Sequence, residues 1–453
     1  MFFSLKAKKI PVPPFVQEIA AVFQEQGKQA YLVGGAVRDL VRGKAASDWD
    51  IATDALTGEV SAMFRHVLPT GIKHGTVTVL YKGRAFEVTT FRTEADYRDG
   101  RRPDTVYFTA NIEDDLARRD FTMNAIAATL PKGTLVDPFG GRDDIAKRVI
   151  RCVGVPEERF SEDGLRPLRA LRFAATLGFS LDKTLLDAIA SRLDVTARVS
   201  WERIHDEFEK IIMSPDPAVA LAAMKTTGLL ARILPELAAC VNVEQKGYHQ
   251  FDVFTHSVMA CAYAAAHNMS QTVRLAALFH DIGKPLCARR DEQGIWTFYN
   301  HERESARCTR KLLVRLRFPS AVIDDVVHLI EEHMFNYDES WSAAAVRRFL
   351  IRVGEEHLSA LFALRAADSF GTAGHAPPPG FLAAFQQKID LVRAKSSALS
   401  LKSLAVNGRD LIALGIPAGR RLGVVLHELL NAVLEDPALN TREKLLEIAR
   451  NFV

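Results

Sequence analysis

Cysteine is scarce and scattered, with Cys152, Cys240, Cys261, Cys287 and Cys308 the five in 453 residues and no CxxC pair among them. An odd, dispersed set argues against a disulfide framework and fits a reducing cytoplasm, the expected location. Long hydrophobic runs are also missing. No stretch reaches the roughly 18 consecutive apolar residues that a membrane span needs, so no membrane partner is expected. The opening MFFSLKAKKIPVPP has no apolar segment followed by a small-residue cleavage site, and no signal peptide is expected. Neither sign of charge dominates: 58 Lys+Arg stand against 55 Asp+Glu, a net charge of +3 that does not by itself mark a nucleic-acid partner. Internal repeats and low-complexity tracts are absent.

What remains is an ordinary globular composition, 48% apolar and 25% charged, in a chain too long for one hydrophobic core. Two to four domains are expected. The basic residues are unevenly spread. Arg92, Arg98, Arg101 and Arg102 crowd one stretch, Arg118 and Arg119 follow, and Arg166, Arg169 and Arg172 recur at helical spacing. Such clusters on a nearly neutral chain suit a phosphate-handling site, although any one of them alone reads as a solvated face.

Periodicity places the motifs. Phe15–Phe23 has helical spacing, Ala30–Val33 is a short apolar run ending at Gly34-Gly35, and Asp50–Thr53, Val77–Tyr81 and Ala85–Phe91 read as strands. Val136-Asp-Pro-Phe-Gly-Gly141 is a turn that can close this mixed α/β part. Beyond about residue 145 the pattern is helical, with amphipathic segments at Glu162–Phe173, Thr184–Leu193 and Trp201–Met213. A histidine-bearing block follows over about residues 248–369, then a Thr372–Pro379 segment that reads as a loop, and a helical tail over about 401–453.

Glycines at Gly34-Gly35 let backbone N–H groups approach a triphosphate at a helix N-terminus, and Arg38 offers a fork of donors to phosphate oxygens. Asp48-Trp-Asp50 comes ten residues after Arg38 and leads into a strand, where a period of two places both carboxylates on one face. Two carboxylates so placed suit a pair of Mg²⁺ ions in nucleotidyl transfer. Taken alone a D-x-D is more often a solvated strand end; behind a glycine loop it reads as catalytic. Asp163 and Arg166, three apart on the expected helix, share a face. One only accepts hydrogen bonds and the other only donates them, a pattern that cytosine and adenine satisfy and that uracil and guanine violate. Outside this context the pair would read as a surface ion pair.

Leu32-Val-Gly-Gly-Ala-Val-Arg-Asp39 followed by Asp48-Trp-Asp-Ile-Ala-Thr53 closely resembles the class II nucleotidyltransferases of the polymerase-β-like superfamily. These are the CCA-adding enzymes, their CC-adding and A-adding relatives, and bacterial poly(A) polymerases. The resemblance continues through Arg118-Arg-Asp-Phe-Thr-Met-Asn-Ala125, Glu162-Asp-Gly-Leu-Arg166…Arg169…Arg172-Phe173 and Val406-Asn-Gly-Arg-Asp-Leu411, nearly the whole chain. It implies an α+β chain: a polymerase-β-like head over residues 1–145 with a mixed sheet and helices, then an all-α neck over 146–225, an HD body over 226–385 and a tRNA-binding tail over 386–453. It implies that Asp48 and Asp50 hold the catalytic Mg²⁺, with Glu87 a candidate third carboxylate. Gly35, Arg38, Arg119, Asp163, Arg166, Arg169 and Arg172 match nucleotide-binding positions. The implied partners are tRNA, CTP and ATP, and no DNA.

Phe91-Arg-Thr-Glu-Ala-Asp-Tyr-Arg-Asp-Gly-Arg-Arg-Pro-Asp104 resembles the flexible loop that CCA-adding enzymes use to switch from C to A and that CC-adding enzymes lack. Gly71-Ile-Lys-His-Gly-Thr-Val-Thr-Val79 is also closer to CCA-adding enzymes than to poly(A) polymerases. Full CCA addition is the expected activity, with A addition or poly(A) synthesis as the alternative.

In the second half, His256, His280-Asp281 before Ile-Gly-Lys284, and Asp368 resemble the HD phosphohydrolase superfamily. Imidazole and carboxylate ligands suit a divalent transition metal with a bound water as nucleophile. His301 and His333 stand where some members hold a second metal. Two other readings remain: an HD phosphodiesterase or phosphatase with a nucleotide-binding head, and a non-catalytic RNA-binding protein. Intact Asp48, Asp50, Asp163 and Arg166 argue against both.

Overall fold

The computed structural model describes residues 8–95, 105–245, 250–395 and 403–453. The chain divides into two units, Met1–Ala238 and Ala239–Val453. No helix among the described residues is long and apolar enough to cross a membrane.

The first unit begins with helix α1 (Pro14–Glu25), strand β1 (Ala30–Val33), α2 (Gly34–Val41), β2 (Asp50–Thr53) and α3 (Thr57–Met63). Strands β3 (Val67–Gly71), β4 (Thr76–Tyr81) and β5 (Arg84–Thr90) follow, then a separate two-stranded ribbon of β6 (Arg92–Ala95) and β7 (Thr105–Phe108). After α4 (Ile112–Ala117), strands β8 (Ala127–Thr129) and β9 (Leu135–Val136) complete a seven-stranded sheet in the order β3-β4-β5-β2-β1-β8-β9. Only β2 and β5 pair in parallel; the other neighbours are antiparallel, so the sheet is mixed as expected. Alternation sets its faces. Val77 and Val79 of β4 and Phe86 and Val88 of β5 are buried, while Glu87 between the last two points the other way. Helix α1 packs on the sheet, with the Phe15 ring 6.3 Å from that of Phe86, and its Val16, Ile19 and Phe23 are fully buried, each contributing about 1.5–3 kcal/mol of hydrophobic stabilisation.

Helices take over after β9: α5 (Gly141–Lys147), α6 (Pro156–Glu162), α7 (Arg166–Leu177), α8 (Lys183–Ser191), α9 (Leu193–Thr196), α10 (Trp201–Ile212), α11 (Pro217–Thr227), α12 (Leu229–Ile233) and α13 (Pro235–Ala238). One sequence expectation fails here. Glu162–Phe173 is not one helix: α6 ends at Glu162 and α7 starts at Arg166. Gly164 lies so close to the Val195 backbone that an added Cβ would stand 2.4 Å from its carbonyl oxygen, and Thr196 Oγ1 donates to the Gly164 carbonyl at 3.0 Å. Pro167 then sits in the first turn of α7, where its missing N–H costs nothing.

The second unit is almost wholly helical: α14 (Val253–Ala266), α15 (Gln271–Phe279), α16 (Lys284–Cys287), α17 (His301–Arg315), α18 (Ser320–Glu332), α19 (Ala343–Val353), α20 (Leu358–Ala373) and α21 (Ala383–Lys395). Helix α14 packs on α15 and α20, and α17 on α18. The expected loop at Thr372 begins two residues later, because α20 runs through Ala373 and stops at a left-handed Gly374. The tail folds as α22 (Gly408–Ala413), α23 (Arg420–Glu435) and α24 (Arg442–Ala449) around Val406, Leu411, Val425, Leu429 and Leu445. Asn407 caps α22 in a reciprocal box with Asp410, a structural reason for the Asn-Gly-Arg-Asp sequence.

Candidate functional site

The first unit holds an open cavity of about 580 Å³. Every nucleotide-site residue expected from the sequence lines it: Gly35, Arg38, Asp48, Asp50, Glu87, Arg119, Asp163, Arg166, Arg169 and Arg172. Seven arginines face five carboxylates there, the charge balance of a site that holds both an anion and cations.

The carboxylate wall is made by strand register. Asp50 opens β2 and is the direct parallel partner of Glu87 on β5. Asp48 precedes the strand, so the period-two argument does not place it; the chain is anchored instead by Trp49, whose ring meets Phe15 edge-on at 5.1 Å on the opposite side. Burial, then the charge of Glu87, raise the Asp50 carboxyl to about 6, with Arg119 opposing. A carboxylate destabilised in this way gains from a divalent cation, so the donor set fits one. Gly34 joins β1 to α2 at φ +68°, and a Cβ there would stand 3.3 Å from both Asp50 Oδ2 and Arg119 Nη1. Only glycine leaves that passage open.

The arginines that line the cavity are braced. Arg38 grips Asp39 with Nε and Nη2, both at 3.0 Å, and donates from Nη1 to Asn124 Oδ1 at 3.0 Å. Asn124 donates to Asp120 Oδ1 at 3.1 Å, and Arg169 donates to Asp120 Oδ2 from Nε at 2.9 Å and from Nη2 at 2.6 Å. Arg172 donates to Glu207 Oε2 at 2.5 Å and lies 3.9 Å over the Phe173 ring. Arg119 pairs with the buried Asp115 at 3.1 Å. Asp120, Asn124, Arg118 and Phe173 were not singled out as site residues, although all four stand inside the quoted motifs.

Asp120 yields a prediction. Burial alone would raise its pKa, but Arg169 and the Asn124 hydrogen bond outweigh it and hold it at about 2, against an ordinary 3.8. The depressed value means stability that is present above about pH 4 and lost as pH falls towards 2, worth about 2 kcal/mol. Asp120→Asn should therefore lower unfolding free energy at pH 7 by at least that order, with the gap narrowing below about pH 4. Urea denaturation across pH measures it; a gap that does not change with pH contradicts the assignment.

Asp163 and Arg166 both line the cavity, but they straddle the α6–α7 break instead of sharing a helix face. Asp163 accepts from the Leu165 N–H at 3.0 Å and from Arg203 Nη2 at 2.8 Å. Arg166 donates to the Arg159 carbonyl at 3.0 Å, to Glu162 at 2.5 Å and to the Arg118 carbonyl at 3.1 Å. Arg92 lines the cavity too, whereas Arg98, Arg101 and Arg102 lie outside the described residues.

In the second unit His256, His280, Asp281, His301 and His333 are buried together, with Asp368 beside them. His280, His301 and His333 each direct Nδ1 at a backbone carbonyl, of Ala277, Phe298 and Ile330, at 2.7–2.9 Å. That fixes the proton on Nδ1 and turns a bare Nε2 inward, the usual posture of a metal ligand. The ligands fall into two sets around Asp281. Its Oδ2 lies 3.3 Å from His256 Nε2 and 3.4 Å from His280 Nε2, with Asp368 Oδ1 3.4 Å from the former. Its Oδ1 lies 3.2 Å from His301 Nε2 and 3.9 Å from His333 Nε2. Among the described residues Asp281 Oδ1 and His301 Nε2 make no aligned hydrogen bond despite their burial, and His256 and His280 bring Nε2 atoms within 2.9 Å of each other. Burial lowers His333 to about 3, leaving a neutral imidazole. These residues fit a divalent cation.

Three family descriptions match the sequence in order: "Poly A polymerase head domain" over residues 30–151, "Probable RNA and SrmB- binding site of polymerase A" over 178–241, and "HD domain" over 253–371. The CCA-adding enzyme of Geobacillus kaustophilus is 37% identical over 440 residues, 96% of each chain. That of Lactiplantibacillus plantarum is 33% identical over 96% of this chain and 95% of its own. Among solved structures, the Bacillus stearothermophilus CCA-adding enzyme in complex with CTP superposes with a TM-score of 0.74 at 33% identity, covering 97% of this chain and 98% of that one. With full-length relatives at this identity, a mixed-sheet head and an HD body in the same order, the chain belongs to the family of the CCA-adding enzymes.

Proposed function

We propose that this chain completes the 3′ end of tRNA by adding C, C and A from CTP and ATP without a nucleic-acid template. The observation that carries the proposal is the single cavity that joins Asp48, Asp50 and Glu87 to Arg38, Arg119, Asp163, Arg166, Arg169 and Arg172. Full-length likeness to CCA-adding enzymes, one of them solved with CTP, favours this reading over A addition, poly(A) synthesis or a primarily hydrolytic role. Divalent metals are general to both families; Mg²⁺ held by Asp48 and Asp50, with Glu87 beside them, would lower the charge barrier to attack and to pyrophosphate departure. Arg38, Arg119, Arg169 and Arg172 hold the triphosphate, exchanging part of their carboxylate pairing for phosphate oxygens. Asp163 accepts from the exocyclic amino group that cytosine and adenine share, and Arg166 donates to their ring acceptors. Functionally the chain divides into a head (1–145), neck (146–225), HD body (226–385) and tRNA-binding tail (386–453) acting in the cytoplasm. Labelled CTP alone should mark a tRNA that lacks its last three nucleotides, whereas UTP and GTP should not; equal use of all four would remove base selection from the account.

The HD cluster is a second, metal-dependent phosphohydrolase site. His256, His280, Asp281 and Asp368 would hold one transition metal, and His301 and His333 with Asp281 would hold another, supplying a metal-bound water as nucleophile. Replacing both His280 and Asp281 by alanine should remove hydrolysis of 2′,3′-cyclic phosphates and leave nucleotide addition intact. If the parent protein hydrolyses none with Mg²⁺, Mn²⁺, Ni²⁺ or Co²⁺, the block is a structural element.

A further inference from the structure

Asp163 can read a base only if its carboxylate plane is fixed, and its own backbone does half of that. Oδ1 accepts from the Leu165 N–H at 3.0 Å, a local turn that leaves rotation of the group otherwise unrestrained. Asp163 lies in the α6–α7 break, with extended φ and ψ of −140° and 109°, so no helix holds the side chain. The second restraint comes from 40 residues away. Arg203 on α10 donates from Nη2 to Asp163 Oδ2 at 2.8 Å, and the pair is largely shielded from water.

The rest of α10 points to the same task. Glu207 lies one turn beyond Arg203 and accepts from Arg172 at 2.5 Å, with Arg169 Nη1 at 3.8 Å. One face of this helix therefore reaches both the carboxylate assigned to the base and the arginines assigned to the triphosphate. A bridge that served stability alone would satisfy its donors. Arg203 does not: its Nη1 is buried and makes no hydrogen bond among the described residues.

From this geometry we infer that Arg203 is a positioning residue for nucleotide choice: it locks the Asp163 carboxylate in the one orientation that accepts a base amino group. Each Asp163 oxygen then has one lone pair used by the protein and one left over, and the two donors fix where the spare pairs point. Without Arg203 the carboxylate turns about its Cβ–Cγ bond and no longer sets an acceptor against the carbonyls of uracil and guanine. The inference rests on Asp163 reading the base.

The test measures kcat and KM for all four nucleotides on tRNA substrates with Arg203→Met, Arg203→Lys, Asp163→Ala and the Arg203→Met/Asp163→Ala double variant. Arg203→Met should narrow the preference of CTP over UTP, and of ATP over GTP, about tenfold, while Arg203→Lys, which keeps a donor, recovers most of it. In the Asp163→Ala background Arg203→Met should narrow the preference no further, because two residues acting through one contact are not additive. An Arg203→Met enzyme that loses rate equally with all four nucleotides overturns the inference, as does Arg203→Lys that behaves like Arg203→Met. If Arg203→Met does not fold, Arg203→Gln, whose amide is too short to reach Asp163, takes its place: full stability with a narrowed preference supports positioning, and an unchanged preference overturns it whether or not stability is lost. Asp163→Ala with parental preference would instead remove the base-reading assignment itself.

Discussion

Asp50→Ala is expected to add neither C nor A, with a loss of about 1,000-fold or more, and Asp48→Ala to behave alike. Removing a metal-holding carboxylate forfeits several kcal/mol of charge stabilisation in the transition state, and each 1.4 kcal/mol is about a factor of ten. The structure adds a second, opposite expectation for Asp50. Its carboxyl is raised to about 6 by burial and by Glu87, so ionising it at neutral pH works against folding. The alanine variant should therefore bind tRNA and show no fall in melting temperature while its activity disappears. Melting curves and single-nucleotide addition rates, measured on one preparation, separate this from general damage. A variant that is both inactive and destabilised would mean that Asp50 supports the sheet; one that adds nucleotides at the parental rate would remove the metal assignment.

The second large effect concerns the change from C to A. Residues 96–104 lie outside the described residues, but their flanks form the antiparallel ribbon β6–β7, with Ala95 opposite Thr105 and Arg92 opposite Phe108. Arg92 at the base of that ribbon lines the cavity and donates to the His74 carbonyl. The ribbon itself thus reaches the nucleotide site through Arg92. Replacing Arg98–Asp104 by a short Gly-Ser linker should leave addition of both C residues near the parental rate and lower the final A addition by about a hundredfold or more, on the scale of a lost positioning contact. Electrophoresis of products at single-nucleotide resolution reads this directly. Parental A addition by the variant would mean that the segment has no part in the change of specificity.

Much of this site was legible because chemistry and backbone demands coincide in short motifs. Gly34-Gly35, the Asp48-Trp-Asp50 pair and Arg38 mark the turn, the proposed metal wall and the proposed phosphate clamp, and Gly34, Gly35, Asp48, Asp50 and Arg38 all line one cavity. Glu87 was harder to read, since only the β2–β5 register makes it the neighbour of Asp50, and register between strands 37 residues apart leaves no local trace. The α6–α7 break was misread although its signals, Gly164 and Pro167, were present; apolar spacing on either side ran through them. Arg203 and Glu207 could not have been found by pattern. On α10 they look like the charged residues of any amphipathic helix, and only tertiary packing aims them at Asp163 and Arg172. In the HD block the order of the candidate ligands was readable around His280-Asp281, whereas the two-sided arrangement around Asp281 depends on how five helices and their ends meet.

The most direct test of the central claim is to incubate the purified protein with CTP, ATP, Mg²⁺ and a tRNA that lacks its last three nucleotides, and to sequence the 3′ ends. The predicted products end in CCA and stop there, with CC the endpoint when ATP is withheld. Tails of repeated A on this or on unrelated RNA, a single A added only to tRNA already ending in CC, or unchanged ends would contradict it.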